Sequence, residues 1–240
     1  MPTMRLPGPN GTLLLSVHPG LDPSHPKQLF LFLEGWGPGL WRPISPSDRA
    51  ARRLARRCDV LTATLFLTGI GSPGRVTGLT RGDFLRQVLL GYDLLAENPA
   101  VAGISAVGTS FGGYLVTLLS ARRPIDRLVL KVPTDVDPDG FETRPQTELA
   151  GDLGLAWKSA PHAPSESQAL TAAAAYAGPV WLISAGRDQI VPWQTTRNYL
   201  DAFNPDHVRH TNAATAGHAM IGGGRTFDKV LAEAAATPAS

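Results

Sequence analysis

Apolar positions along this chain follow two rhythms. Runs that are apolar at nearly every position cover Thr12 to Val17, Gln28 to Leu33, Val60 to Leu67, Val101 to Val107, Arg127 to Val132 and Pro179 to Ser184, with a weaker alternating run from His207 to Thr211. Short apolar runs bounded by turn residues read as strands, and continuous apolarity marks strands buried on both faces, as in a parallel sheet. Between them the apolar residues recur at helical spacing, notably over Tyr114 to Ala121, Trp193 to Phe203 and the last stretch of the chain. Helix starts carry capping chemistry: Ser45-Pro46-Ser47-Asp48 joins a side-chain cap to a proline at the first helical position, and Thr80 to Asp83 and Ser165 to Gln168 begin helices in the same way. Strands alternating with helices predict an α/β fold, a mostly parallel central sheet with helices on both faces. Pro133 to Pro164 keeps neither rhythm and is expected to be a structureless segment, too long for an ordinary connection.

The chemistry concentrates at turns that follow strands. In Gly108-Thr109-Ser110-Phe111-Gly112 a serine stands between glycines two places away, after a strand and before a helix. That context fits a sharp strand-to-helix turn that lifts the Ser110 hydroxyl clear of the backbone, and residues without Cβ let strand and helix pass closely. A serine hydroxyl is nearly inert at neutral pH, so it needs a base and a carboxylate that orients the base. The partners expected downstream are Asp188, in the Ala185-Gly186-Arg187-Asp188-Gln189-Ile190-Val191-Pro192 turn, and His218, in Ala216-Gly217-His218-Ala219-Met220. Asp135, after the Arg127 to Val132 strand, is a rival for the acid. His207 and His210 read as surface or pairing residues of a strand, His18, His25 and His162 as loop residues among prolines, and Cys58 as a partly buried thiol.

With the elbow at Ser110, the acid turn at Asp188 and the Gly-His loop at His218 in this order, the chain resembles the α/β-hydrolase superfamily from the Gln28 to Leu33 strand to the last helix. The resemblance implies one domain over residues 1–240, with residues 133–164 forming a small lid or loop insertion, built from Phe141, Leu149, Leu153, Leu155 and Trp157. It implies a serine hydrolase acting on a small-molecule ester-type carbonyl through a Ser110–His218–Asp188 triad, with no metal and no cofactor. It also implies an oxyanion hole from the N–H of Phe111 and one from the loop after the Gln28 to Leu33 strand, where Gly35, Trp36 and Gly37 are candidates and Trp36 fits best by position. Two departures stand out. Glu34 occupies the place where a His-Gly pair usually begins, and Leu67-Thr68-Gly69-Ile70-Gly71-Ser72 lacks the histidine many relatives carry. Glu34 either turns away to accept loop N–H groups or, by similarity to dienelactone hydrolases, contacts the nucleophile. Trp36, Trp41, Trp157 and Trp193 fall in or beside loops at the carboxyl ends of the strands, a setting for an apolar or aromatic pocket.

Composition narrows the classes further. The 240 residues, 43% of them hydrophobic, suffice for one large core, and the net charge of +2 is too small to imply nucleic acid. A single cysteine rules out an intrachain disulfide, and the absence of a signal-like or membrane-length apolar run makes a cytoplasmic protein the expectation. Arg49, Arg52, Arg53, Arg56 and Arg57 crowd one side of the helix that opens at Ser45, opposite Ala51, Leu54, Ala55 and Cys58, as a solvated face would. Gly69-Ile70-Gly71-Ser72-Pro73-Gly74 matches a dinucleotide fingerprint in letters, yet Pro73, Gly74 and Gly78 keep a helix from starting there. Asp135 to Gly140 matches half of a calcium loop whose twelfth position is Gln146 instead of a bidentate Glu.

Overall fold

A computed structural model describes residues 3–8, 11–19, 21–35, 45–69, 78–149, 152–219 and 223–238. Its centre is an 8-stranded sheet in the order β1-β2-β4-β3-β5-β6-β7-β8, formed by β1 (Thr3–Gly8), β2 (Gly11–His18), β3 (Lys27–Leu33), β4 (Leu61–Phe66), β5 (Val101–Thr109), β6 (Leu128–Lys131), β7 (Val180–Ala185) and β8 (Val208–Ala213). β2 runs antiparallel to β1 and β4, and every pairing from β4 to β8 is parallel. Among the described residues the helices are α1 (Pro46–Arg57), α2 (Arg81–Ala96), α3 (Phe111–Ser120), α4 (Asp152–Ser159), α5 (Gln168–Ala175), α6 (Trp193–Ala202) and α7 (Gly224–Ala236).

Strand alternation divides the apolar residues between two cores. Leu29, Leu31 and Leu33 of β3, Leu128 and Leu130 of β6 and Leu182 of β7 pack toward α2, α3, α5 and α6. Phe30 and Phe32, Val129, and Trp181 and Ile183 of the same strands pack toward α1 and α7, against Ala50, Leu54, Phe227 and Leu231. Both faces are therefore covered, which is why these strands are apolar at every position. Among the described residues no helix is long and apolar enough to cross a membrane.

Several sequence expectations are corrected. The first residues, left outside the resemblance, form β1 and pair with β2; a strand with Pro7 in it and only Met4 and Leu6 as apolar residues gives little periodic signal at an edge. The stretch from Pro133 is not structureless, since it holds a 3-10 turn at Gln146–Leu149 and the helix α4. The helix expected from Ser165 begins two residues later: Ser167 is the cap, its hydroxyl accepting from the N–H groups of Ala169 and Leu170, after a 3-10 turn at Pro164–Glu166. The capping expectations hold at α1, where Ser45 Oγ accepts from the Asp48 N–H at 3.2 Å, and at α2, where Thr80 and Asp83 form a reciprocal capping box. The arginine side of α1 is not simply solvated. Arg52 bonds the buried Asp48 at 2.7 Å, and Arg53 makes a two-pronged bond to Asp228 of α7, both contacts 2.9 Å.

The packing of α3 positions the site most directly. A Cβ on Gly112 would lie 2.5 Å from the Leu33 carbonyl oxygen and 2.6 Å from that of Glu34, backbone atoms that cannot yield locally. We expect Gly112→Ala to destabilise the chain by about 2–3 kcal/mol, the usual cost of overpacking. A melting temperature lowered by roughly 5–10 °C would agree with this, and an unchanged one would contradict the close approach of α3 to β3.

Candidate active site

Ser110 joins β5 directly to α3. Its backbone sits at φ 52°, ψ −117°, a left-sided conformation that costs a non-glycine residue on the order of 1–3 kcal/mol and persists only when its surroundings enforce it. Three bonds enforce it. The Ser110 N–H donates to the Lys131 carbonyl at 2.9 Å, and the Ser110 carbonyl accepts from the N–H groups of Tyr114 and Thr134, both at 3.2 Å. Val132 is also at positive φ, 43°, unusual for a β-branched residue; this bend turns the chain after β6 so that Thr134 reaches Ser110. The side of the turn facing β3 is closed by Gly35, where a Cβ would lie 3.0 Å from Ser110 Cβ and 3.6 Å from its Oγ.

Ser110, His218 and Asp188 meet. Ser110 Oγ lies 3.1 Å from His218 Nε2, and His218 Nδ1 lies 2.8 Å from Asp188 Oδ2. The second carboxylate oxygen, Oδ1, accepts the N–H groups of Ile190 at 2.8 Å and Val191 at 2.9 Å. Asp188 is therefore saturated with donors on a turn that follows β7, while His218 is delivered from the segment after β8. Burial pushes the Asp188 carboxyl up, but the bonds from His218, Val191 and Ile190 outweigh it and hold the group below the ordinary carboxylate value. The Asp188 side chain is 5% exposed and that of His218 18%, so the imidazole remains reachable and the carboxylate does not.

The rival acid is engaged elsewhere. Asp135 is 2% exposed, accepting the Trp157 indole N–H at 3.0 Å and the Ser167 hydroxyl at 2.7 Å. Burial raises its pKa above the ordinary value despite those bonds. It pins the stretch that was expected to be a lid: Trp157 stacks on His162 with ring centroids 3.8 Å apart, and His162 Nε2 lies 2.9 Å from the Trp157 carbonyl. Phe141 packs at the edge of the core beneath the Arg81 guanidinium, which donates to the carbonyls of Asp137 and Asp139, so the run resembling a calcium loop has its carbonyls held by an arginine. Leu155 is exposed, and the side chains of Leu149 and Leu153 lie outside the described residues.

Glu34 is buried at the end of β3. Its Oε2 accepts the Ser47 N–H at 2.9 Å, so it caps the first turn of α1, where a carboxylate also meets the favourable end of the helix dipole. The buried Lys131 lies within its field; burial lowers the lysine pKa and the Glu34 charge opposes that fall, with the ammonium 4.7 Å from the centre of the Phe227 ring. Phe111 is buried as the first residue of α3, which puts its backbone N–H at a helix N-terminus, where N–H groups have no intrahelical acceptor. Trp36 lies outside the described residues, as do Gly37, Trp41 and residues 70–77. Trp193 opens α6, is 55% exposed and lies 5.6 Å from the His210 ring; His210 in turn lies 2.8 Å from Ser184 Oγ, a strand pairing contact as its place in an alternating run suggests. Lys158, singled out by no motif, reaches the acid turn by donating to the Ile190 carbonyl at 2.9 Å. A lone lysine on a short helix gives no sign of this in sequence.

No family model matches the chain, whereas many solved structures share its architecture. The ferulic acid-bound structure of Est1E from Butyrivibrio proteoclasticus covers 96% of this chain and 96% of its own at 16% identity, with a TM-score of 0.73. An alpha-beta serine hydrolase homologue from Coxiella burnetii matches 97% of this chain and 96% of its own at 14% identity and a TM-score of 0.68. The Pyrobaculum calidifontis esterase matches 98% and 83% at 16% identity and a TM-score of 0.64. This chain therefore has the α/β-hydrolase fold. A curated 4-diphosphocytidyl-2-C-methyl-D-erythritol kinase from Chlorobium luteolum is 33% identical over 96 residues, 37% of this chain and 33% of the kinase, so the chain spans about a third of that relative's length.

A raised pKa at Asp135 means that the native chain keeps a proton which the unfolded chain has already released, so native stability falls as pH rises above the ordinary carboxylate value of about 4. Asp135→Asn removes this loss. Denaturant titrations at about pH 4.5 and about pH 7.5 should show the stability of the variant relative to the parent shifting in the variant's favour at the higher pH. A difference that does not move with pH would contradict the raised pKa.

Proposed function

We propose that this chain is a serine hydrolase that cleaves an ester-type carbonyl bond through an acyl-enzyme intermediate. The observation that carries this reading is the unbroken run of contacts from Asp188 through His218 to Ser110 on a strained strand-to-helix turn. Ser110 Oγ attacks the carbonyl carbon as His218 Nε2 takes its proton, and Asp188 holds the Nδ1–H side of the ring and balances the charge it gains. The developing oxyanion is received by the Phe111 N–H and a second backbone N–H from the segment after Gly35, for which Trp36 is our choice. His218 then protonates the departing alcohol oxygen, and a water molecule repeats the sequence on the acyl-enzyme, restoring Ser110 and releasing the acid. Protein groups perform every step, so the route uses no metal and no cofactor. Structural neighbours that are esterases, one with ferulic acid bound, support a small-molecule ester substrate with an apolar or aromatic part, and Trp193 and Leu155 are candidates to touch it.

The test is covalent. A fluorophosphonate should label Ser110 in the parent chain and leave Ser110→Ala unlabelled; failure to label the parent chain would refute the reading and favour a binding protein on the same fold. A panel of p-nitrophenyl esters of graded acyl length, run beside lactone and aminoacyl-amide substrates, identifies the acyl preference and the type of bond cleaved. Ser110→Ala should lower kcat by roughly 10⁴ without lowering the melting temperature, and Asp188→Asn should also cost orders of magnitude through the wrong histidine tautomer. Asp135→Asn should leave kcat nearly unchanged; the reverse ranking of the two aspartates would move the acid to the end of β6.

Glu34 sets a second reading, dienelactone hydrolase-like or peptidase-like, in which its carboxylate acts on the nucleophile or the substrate. Its bond to the Ser47 N–H favours the structural role. Glu34→Gln retains an acceptor there and should change kcat/KM by less than about tenfold, with the main loss in stability. A pH profile that loses or shifts a limb while the melting temperature stays constant would instead support the catalytic carboxylate.

A further inference from the structure

The half-buried Lys158 is a charged group at the acid turn that the proposed mechanism leaves unused. It projects from α4, and its ammonium donates to the Ile190 carbonyl at 2.9 Å. That carbonyl belongs to the same planar peptide unit as the Val191 N–H, which donates to Asp188 Oδ1 at 2.9 Å. The other carboxylate oxygen faces His218 Nδ1 at 2.8 Å. One peptide group therefore separates a cation from the carboxylate, and both ends of that group are hydrogen-bonded in the sense that reinforces its dipole. The titratable groups along the line are Lys158, Asp188 and His218. Burial lowers the Lys158 pKa, and the Asp188 charge opposes that fall. The backbone of Lys158 is fixed as well, since its carbonyl accepts the Thr195 hydroxyl of α6 at 2.7 Å.

We propose that Lys158 is a positioning residue for the acid of the triad, acting through the Ile190–Val191 peptide to keep Asp188 aimed at His218. The inference rests on the serine hydrolase reading above. An ammonium on the carbonyl end draws electron density along the amide and makes the Val191 N–H a stronger donor, so the carboxylate is held by a polarised group instead of an ordinary one. The same bond seats α4 against the acid turn. The helix from the irregular segment thus becomes part of the support of the triad, and what Lys158 supplies is felt in the proton-transfer step and hardly at all in substrate binding.

Three variants of the full chain test this, with the rate of Ser110 labelling by diisopropyl fluorophosphate, a reagent small enough to leave α4 untouched, and kcat and KM on p-nitrophenyl acetate as readouts. Lys158→Met keeps the aliphatic stem and should slow labelling and kcat by about fivefold to tenfold with KM little changed. Lys158→Arg retains a cation and a donor and should return both to within about twofold of the parent. Thr195→Val cuts the other tether of the Lys158 segment without removing charge and should also stay within about twofold. Parent-like rates in Lys158→Met, an arginine variant as slow as the methionine variant, or a Thr195→Val as slow as Lys158→Met would each overturn the proposal. A parent chain that the reagent does not label at all overturns the serine hydrolase reading, and the role of Lys158 falls with it.

Discussion

The Ser110 backbone is where β5, β6 and α3 are joined: its N–H is held by the Lys131 carbonyl and its carbonyl by Tyr114 and Thr134. Those bonds keep a serine in a conformation it would not choose alone, and the cost is met by the two cores that clamp the strands on either side. Every other part of the site is placed relative to that turn. Gly35 closes against it from β3, and Val132 bends the chain beyond β6 so that Thr134 can reach it. Asp188 and His218 follow the next two strands of the sheet, β7 and β8. A reactive hydroxyl held by strain and backbone bonds needs little side-chain adjustment before it reacts, which is the benefit of preorganisation.

His218 and Asp188 draw their support from opposite sides of the sheet. His218 leads into α7, which is tied to α1 through the Arg53–Asp228 pair, and α1 is capped by Glu34 at the edge of the nucleophile turn. Asp188 is supported from the other side, by α6 and by Lys158 of α4. The two supports share no helix. Changes in the irregular stretch around α4 therefore reach the acid first and the base only through it.

Much of this was legible in the sequence because the informative residues are constrained locally. A glycine pair around a serine between a strand and a helix, an acid turn after a buried strand and a histidine after the next strand each follow from short-range geometry, and the structure brings Ser110, Asp188 and His218 within hydrogen-bond reach. The cap at Ser45 and the capping box at Thr80 were legible for the same reason. What escaped depends on distant contacts. β1 is a strand only because β2 lies beside it, and the helix cap fell on Ser167 instead of Ser165 because Asp135, far back in the chain, accepts the Ser167 hydroxyl. Lys158 could not be singled out, since its role exists only once α4 and the acid turn are adjacent. The preference for Trp36 over its neighbours falls in residues 36–44, outside those described.

The order of these residues along the chain also gives the molecule a history during synthesis. Ser110 and His218 are separated by 108 positions, and domains take shape from the N-terminal side as the chain emerges. The bonds that hold the Ser110 turn come from residues of α3 and of β6 and the bend after it, whereas His218 is synthesised only after β8. On the proposed mechanism the nucleophile is therefore made 108 residues before its base, and a nascent chain that carries Ser110 without His218 has nothing to take the hydroxyl proton. On that reading activity waits for β8 and for the segment that leads into α7, whose Asp228 also closes the pair with Arg53 of α1.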